Sequence, residues 1–315
     1  MPSILERPHF QNEEAAYAKL ERLLWPNGPI CPHCKGSERI SKMQGKATRI
    51  GLYKCYACRK QFRVTVGTVF EASHVPLHLW MQAAYLLCSS KKGISSNQLH
   101  RTLGVTLKTA WFMSHRIREA MRDGTLAPMG GAGGIVEADE TYFGNKDVVT
   151  KRTIRGKSGL ASKRAVVSLV ERGGAARSFH VERATKAAVT EIVEANVAKE
   201  AHLNTDESKL YNGAAPLVAS HEAVHHTSGE YVRGLVHTNS VEGYFSVFKR
   251  GMRGVYQHCG EKHLHRYLAE FDFRFNNRVR LGVDDAQRTN NALRGIVGKR
   301  LTYGGPAPRP QMNRL

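Results

Sequence analysis

Apolar and polar residues alternate at period two through Gln61-Phe62-Arg63-Val64-Thr65-Val66, the spacing of a half-buried strand. From Pro76 the period changes. LHLWMQAAYLLC and LGVTLKTAWFMSHRIREAM carry apolar side chains at helical intervals with polar positions between them, which predicts helices from Pro76 to about Arg122. The run Ala127-Pro128-Met129-Gly130-Gly131-Ala132-Gly133-Gly134 can neither hold a helix nor present a side-chain face, so a linker is expected there. Beyond it, strand-like segments fall at Ile135–Asp139, Ala165–Val170, Arg177–Val181 and His202–Asp206. Between the last two, Val189, Ile192, Val193 and Val197 share one helical face, with Thr185 placed to cap it. A mostly helical segment follows from Ser240 to about Asn277, with interruptions expected at Gly251, Gly254 and Gly260. The end, GGPAPRPQMNRL, reads as a loose basic tail.

This pattern predicts a multidomain chain. A small β unit occupies residues 1–72, a helical region 73–126, a linker 127–134, an α/β domain with a mixed sheet 135–280, and a basic tail 281–315. No repeat recurs at the periods of solenoid proteins.

Charge narrows the partner. Across 315 residues, 47 Lys and Arg stand against 27 Asp and Glu, a formal charge of +20 that calls for a polyanion. No apolar run approaches the ~20 residues of a spanning helix, and the start, MPSILERPHFQNEE, lacks a signal-peptide apolar stretch. No membrane partner is expected, and the chain reads as cytoplasmic and nucleoid-associated. Four of the six cysteines form two tight pairs, which suits a metal clip in a reducing compartment. Cys88 and Cys259 read as small buried thiols.

Those pairs, Cys31-Pro-His-Cys34 and Cys55-Tyr-Ala-Cys58, give C-x2-C-x20-C-x2-C. Each pair turns two thiolates to one side, and four thiolates close a tetrahedral Zn2+ site with no open position. A closed site of this kind holds a fold together and performs no reaction, so the zinc is read as structural, in a zinc ribbon. The ribbon's basic residues, Lys42, Lys46, Arg49, Lys54, Arg59, Lys60 and Arg63, fit either DNA contact or an ordinary charged surface.

Gly93 to Trp111 reads as two short helices joined by a turn. Ser95 with Gln98 can form a capping box, Gly104 stands where the first helix ends, and Thr106 can cap the second. That is the layout of a helix-turn-helix, with simple helix packing as the plainer alternative. Its second helix is expected to present Lys108, Thr109, Phe112 or His115 to a groove, with Arg116 and Arg118 nearer the phosphates. A second candidate DNA contact is the loop KRTIRGKSGLASK, with Lys151, Arg152, Arg155 and Lys157.

Two aspartates end strand-like runs: Asp139 in GIVEADETYFG and Asp206 in AHLNTDES. With thirty-five residues between it and Asp206, Glu242 lies where HTNSVEGYFSVFK turns helical, and Lys249 follows seven later. At ~100° per residue, Glu242, Ser246 and Lys249 share one face while Val241, Phe245 and Phe248 take the other. Two aspartates and a glutamate are hard oxygen ligands for two Mg2+ or Mn2+ ions, and Lys249, with Arg250 beside it, would hold an anionic strand.

Together these residues resemble the zinc-ribbon insertion-sequence transposases of the DDE type called ISXO-like. CPHC, YKCYACRKQFRVTVGTVFEASHVPL, VEADETYFG, NTDESKLY, HTNSVEGYFSVFKRG and FRFNNR carry the resemblance. It implies an RNase H-like catalytic domain, dependence on divalent metal, and binding to the terminal inverted repeats of a mobile element. It also implies cleavage and transfer into target DNA by a homo-oligomer that brings two ends together. By it Asp139 and Asp206 are the first two acids. The third is Glu242 or Asn239 one turn before it; Glu242 is favoured because a carboxylate holds a hard dication better than an amide. His237 is a further candidate, contacting the scissile phosphate. Two other readings use the same features: a DNA-binding regulator without catalysis, and a nuclease that hydrolyses without rejoining.

Overall fold

The computed structural model describes residues 3–122, 124, 126–147, 159 and 162–302. Lys151, Arg152, Arg155 and Lys157 lie outside the described residues, as does the tail from 303 onward. The chain divides into two compact units, one of residues 1–84, 96–120 and 292–315, the other of residues 85–95 and 121–291.

The first unit begins with helices absent from the sequence reading. A single turn at Pro8–Gln11 leads into α1, Glu13–Leu24, which Asn12 caps by accepting the Ala15 N–H at 3.0 Å. Three short strands, β1 (Ile40–Lys42), β2 (Tyr53–Cys55) and β3 (Gln61–Phe62), pair antiparallel, with Ile40 opposite Cys55 and Tyr53 opposite Phe62. Their core is small: Cys31, Tyr53, Cys55 and Phe62, edged by Trp25, Ile40, Cys58 and Val66.

Helices α2 (Leu77–Ser89), α3 (Ser96–Leu103) and α4 (Leu107–Met121) follow. Glu13 starts α2, its carboxylate accepting the Leu77 and His78 N–H groups at 2.8 and 3.1 Å. Between α3 and α4, Gly104 takes a φ of 66°, and Thr106 Oγ1 accepts the Thr109 N–H at 3.1 Å. The sequence anticipates both devices.

The second unit is built on a five-stranded sheet of order β6-β5-β4-β7-β8. Its strands are β4 (Ile135–Asn145), β5 (Lys163–Glu171), β6 (Ala176–Val181), β7 (His202–Asp206) and β8 (Ser220–Val224). β4 runs antiparallel to β5 and parallel to β7, and β7 parallel to β8, so the sheet is mixed as expected. β8 carries too little apolar pattern to be read from the sequence.

Side chains alternate across this sheet. On one face Met129, Val136, Ala138, Val167, Leu169 and Leu203 pack with Tyr211 and with Val189 and Val193 of α5 (Lys186–Asn196). On the other, Phe143, Val166 and Val170 meet α6 (Asn239–Gly251) and α7 (Leu264–Asn276) through Val241, Phe245, Phe248, Leu268 and Phe271. Among the described residues no helix is long and apolar enough to cross a membrane.

Three expectations need correction. The glycine-rich run 127–134 is packed: Met129 is buried in the sheet's core and exchanges backbone hydrogen bonds with Asn196 and Ala198 at 2.8 Å. Its glycines serve close approach, since a Cβ on Gly130 would stand 2.6 Å from that of Ala201. The interruption after α6 begins at Gln257, with a φ of 55°, beyond a π turn over Met252–Tyr256, and includes Gly260 as expected, while Gly251 stays helical against Phe271. Residues expected in the tail form α8, Asp285–Arg294, whose Arg288, Thr289, Ala292 and Leu293 are buried.

Candidate active site and zinc cluster

The four cysteine sulfurs lie within 4.8 Å of one another. Cys31 Sγ is 3.6 Å from Cys58 Sγ, and Cys34 Sγ is 3.7 Å from Cys55 Sγ. Sulfurs at ~2.3 Å from a shared Zn2+ would stand about 3.8 Å apart at tetrahedral angles, so the donors fit a structural zinc.

Asp139 does not end its strand. β4 continues six residues past it because β5 pairs along its whole length, with Asp139 opposite Ser168. The parallel partner β7 is registered only along Ile135–Glu137, against His202–Asn204. Continuing that register by two residues brings Asp139 level with Asp206, the last residue of β7. By alternation both aspartates point to the α6 face, where Glu242 occupies the first turn of the helix.

The electrostatics agree with this placement. Burial, then the charges of Asp206 and Glu140, push the Asp139 carboxyl up to about 8, with Glu242 adding to the effect. Burial also raises Asp206, against a hydrogen bond from the Ser208 N–H and the nearby His226. Among the described residues no Lys or Arg pairs with Asp139, Asp206 or Glu242, and hard carboxylates so arranged suit a divalent cation in chemical type. Their oxygens do not converge as tightly as the thiolates do.

A buried acid, for which the sequence leaves open support of the metal site or exposure, ties this face together. Glu137, two residues before Asp139 and on the same side of β4, is fully buried. Its Oε2 accepts the N–H groups of Ser240 and Val241 at 2.6 and 3.1 Å, and its Oε1 the Ser240 hydroxyl at 2.9 Å. Arg172 donates to the same carboxylate through Nε and Nη2 at 3.0 and 2.8 Å, and through Nη1 to the Leu235 carbonyl at 2.7 Å. Thus an anion caps the positive end of α6 while Arg172 balances its charge. On the opposite face Tyr211 donates to Glu140 at 2.9 Å, bracing the strand behind Asp139.

The remaining candidates separate. Glu242 Oε1 accepts from the Thr238 hydroxyl at 2.8 Å and lies 3.8 Å from His226 Nε2. Asn239 is exposed at the start of α6. His237 turns Nδ1 toward Glu137 at 3.3 Å and Arg172 at 3.1 Å, which puts it in the clamp rather than beside the acids. Lys249 Nζ lies 5.9 Å over the Phe245 ring, and Arg250 is exposed next to it. His226 is held near the acids by Glu207, whose carboxylate accepts the His226 and Thr227 N–H groups at 2.8 and 3.1 Å, which holds Glu207 down at about 2. An acid directly after Asp206 was the one available sequence signal.

On α4, Lys108 is exposed and Thr109 partly so, both in the first turn. Arg116 and Arg118 face inward, 6% and 1% exposed, against their expected role at phosphates. Arg116 donates to the Glu71 and Leu301 carbonyls at 3.1 Å, and Arg118 to the Ser114 hydroxyl at 3.0 Å. His115 is buried as well.

Residues 131–276 match the model of the ISXO2-like transposase domain, and residues 11–61 that of the transposase zinc-ribbon domain. The chain is thus similar to ISXO2-like transposases over a transposase domain and a zinc-ribbon domain. The transposase domain holds Asp139, Asp206, Glu242 and Lys249, and the ribbon all four cysteines. A relative in Halobacterium salinarum, described as an uncharacterized protein in transposable element ISH50, is 29% identical over 283 residues, covering 84% of this chain and 91% of its own length. A DDE-type transposase domain implies DNA as partner and divalent metal as cofactor.

Proposed function

We propose that the protein cuts the ends of its mobile element and joins them to target DNA, with Asp139, Asp206 and Glu242 as the reacting centre. The observation that carries this is the shared sheet face of Asp139 and Asp206 opposite Glu242, where Asp139 feels the charge of both other acids. These three residues would hold Mg2+ or Mn2+, a pair of ions being the arrangement that serves in-line displacement at phosphorus. Bound there, the ions lower the cost of charge developing on the attacking and leaving oxygens of an in-line displacement at phosphorus. The chain itself supplies rigidity: β4 and β7 fix the aspartates, and the Glu137 cap fixes the helix bearing Glu242. Lys249, two turns along the same face of α6, would steady the phosphate backbone.

Recognition of the element's ends is assigned to the turn between α3 and α4. The exposed first turn of α4, with Lys108 and Thr109, is where recognition helices present side chains to a major groove. Two ends must be handled together, so a homo-oligomer is part of the proposal.

The test is a cleavage and joining assay on the element's terminal DNA with Mg2+ or Mn2+, comparing wild type with Asp206→Ala and Glu242→Gln. Loss of cut and joined products in both variants supports the proposal. Full activity in Glu242→Gln would move the third role to Asn239. Binding without cleavage by wild type would favour a regulator, and cleavage without joining a nuclease.

A further inference from the structure

Tyr231, Val232 and Leu235 are 61%, 53% and 73% exposed, three large apolar side chains within five consecutive residues. Apolar side chains left in water usually sit singly, and a cluster marks a contact surface. The turn that carries them is nonetheless tightly held. Arg233 and Val236 exchange both backbone hydrogen bonds at 2.9 Å, and the Leu235 carbonyl accepts from Arg172 Nη1 at 2.7 Å and Asn204 Nδ2 at 3.0 Å. The fold therefore fixes the backbone and leaves the side chains outside.

Its position identifies the occupant. The Tyr231 ring stacks on that of His226, with centroids 5.1 Å apart and planes 26° from parallel, and His226 Nε2 is 3.8 Å from Glu242. A strand laid across the acids passes this pair. Phosphates and sugars offer Tyr or Leu little, whereas the faces of bases are apolar and open once a base leaves its stack. The Tyr231 ring meets His226 yet keeps 61% of its surface exposed.

We infer that the Tyr231–Leu235 turn holds an unstacked base of the DNA beside the cut, the base extending the His226–Tyr231 stack while Leu235 fills the gap left in the duplex. This rests on reading Asp139, Asp206 and Glu242 as the site of cleavage.

The experiment compares two terminal DNAs, one fully paired and one mismatched at the base pair next to the scissile phosphate, bound without added Mg2+ or Mn2+. A mismatch lowers the cost of unstacking, so wild type is expected to bind the mismatched end ~10-fold more tightly. Tyr231→Ala and Leu235→Ala should each bring that ratio close to one, and Tyr231→Phe should retain it. With Mn2+ added, cleavage of paired DNA by Leu235→Ala should fall ~10-fold and recover on mismatched DNA. No preference in wild type, or an equal preference in the alanine variants, overturns the inference. So does a change of oligomeric state in those variants, measured by sedimentation, which would give the turn to a second copy of the chain. Because the binding ratio is read without cleavage, a wild type that binds with the expected preference and never cuts counts against the cleavage reading and not against the base-holding turn.

Discussion

Glu137 accepts the Ser240 N–H at 2.6 Å, joining the central strand of the sheet to the first turn of the helix that bears Glu242. Glu137→Gln keeps the shape and removes the charge, leaving Arg172 and the N–H groups of α6 without their anion. Breaking a buried pair from one side costs on the order of 3 kcal/mol. A lower urea midpoint and weaker cleavage are expected together; a variant of unchanged midpoint would mean that the clamp contributes nothing to holding α6.

Asp139 gives a pH dependence with a definite sign. Its carboxyl titrates near 3.8 in the unfolded chain and at about 8 when folded without metal. Between those values the folded form keeps a proton that the unfolded chain has lost, so stability falls as pH rises through that window, and the loss is complete above about 8. Asp139→Asn is expected to melt above wild type at pH 8 without added Mg2+ or Mn2+, with the gap closing toward pH 4. Mn2+ should raise the melting temperature of wild type and much less that of the variant. A wild type melting above Asp139→Asn in metal-free buffer at pH 8 would contradict the burial of that charge.

The ribbon's four-residue core is too small to stand without its metal. Cys55→Ser, or chelation at neutral pH, is expected to unfold the three-stranded sheet while the five-stranded sheet persists. Hydrogen exchange resolves the two; protection retained over Tyr53–Phe62 after chelation would refute a structural role for zinc.

Lys108 and Arg116, two turns apart on α4, should respond oppositely. Lys108→Ala is expected to weaken binding to element ends, reduce its salt slope by about one, and leave the melting temperature nearly unchanged. Arg116→Ala should lower the melting temperature, because the Glu71 and Leu301 carbonyls lose their donor. Equal loss of DNA affinity in both, with unchanged stability, would restore Arg116 to the DNA surface.

These contrasts mark how far the sequence could be read. The cysteine spacing implies its metal because two knuckles and four thiolates admit few other uses, and Gly104 with Thr106 announces the turn before α4 through local geometry alone. Asp139 and Asp206 stand out as acids in apolar runs, yet the length of β4 depends on its pairing with β5, which no local window contains. Arg116 and Arg118 read as surface cations because charge is the visible property, whereas Arg116 turns inward to carbonyls up to 185 residues away and Arg118 to the Ser114 hydroxyl. The same reason left open whether Glu137 supports the site or is exposed: its partners, Arg172 and Ser240, lie 35 and 103 residues on. His226 and Tyr231 become significant only once β8 and α6 bring them beside Glu242.

Arg172 is the point where these dependencies meet, holding Glu137, the Leu235 carbonyl and, through its own N–H, the Ile135 carbonyl at 2.9 Å. Most single changes erode a protein by degrees. A change at this guanidinium would instead loosen the strand, the helix and the turn in a single event. A chain that keeps Asp139, Asp206 and Glu242 but has lost Arg172 is therefore expected to lose the arrangement that holds them together.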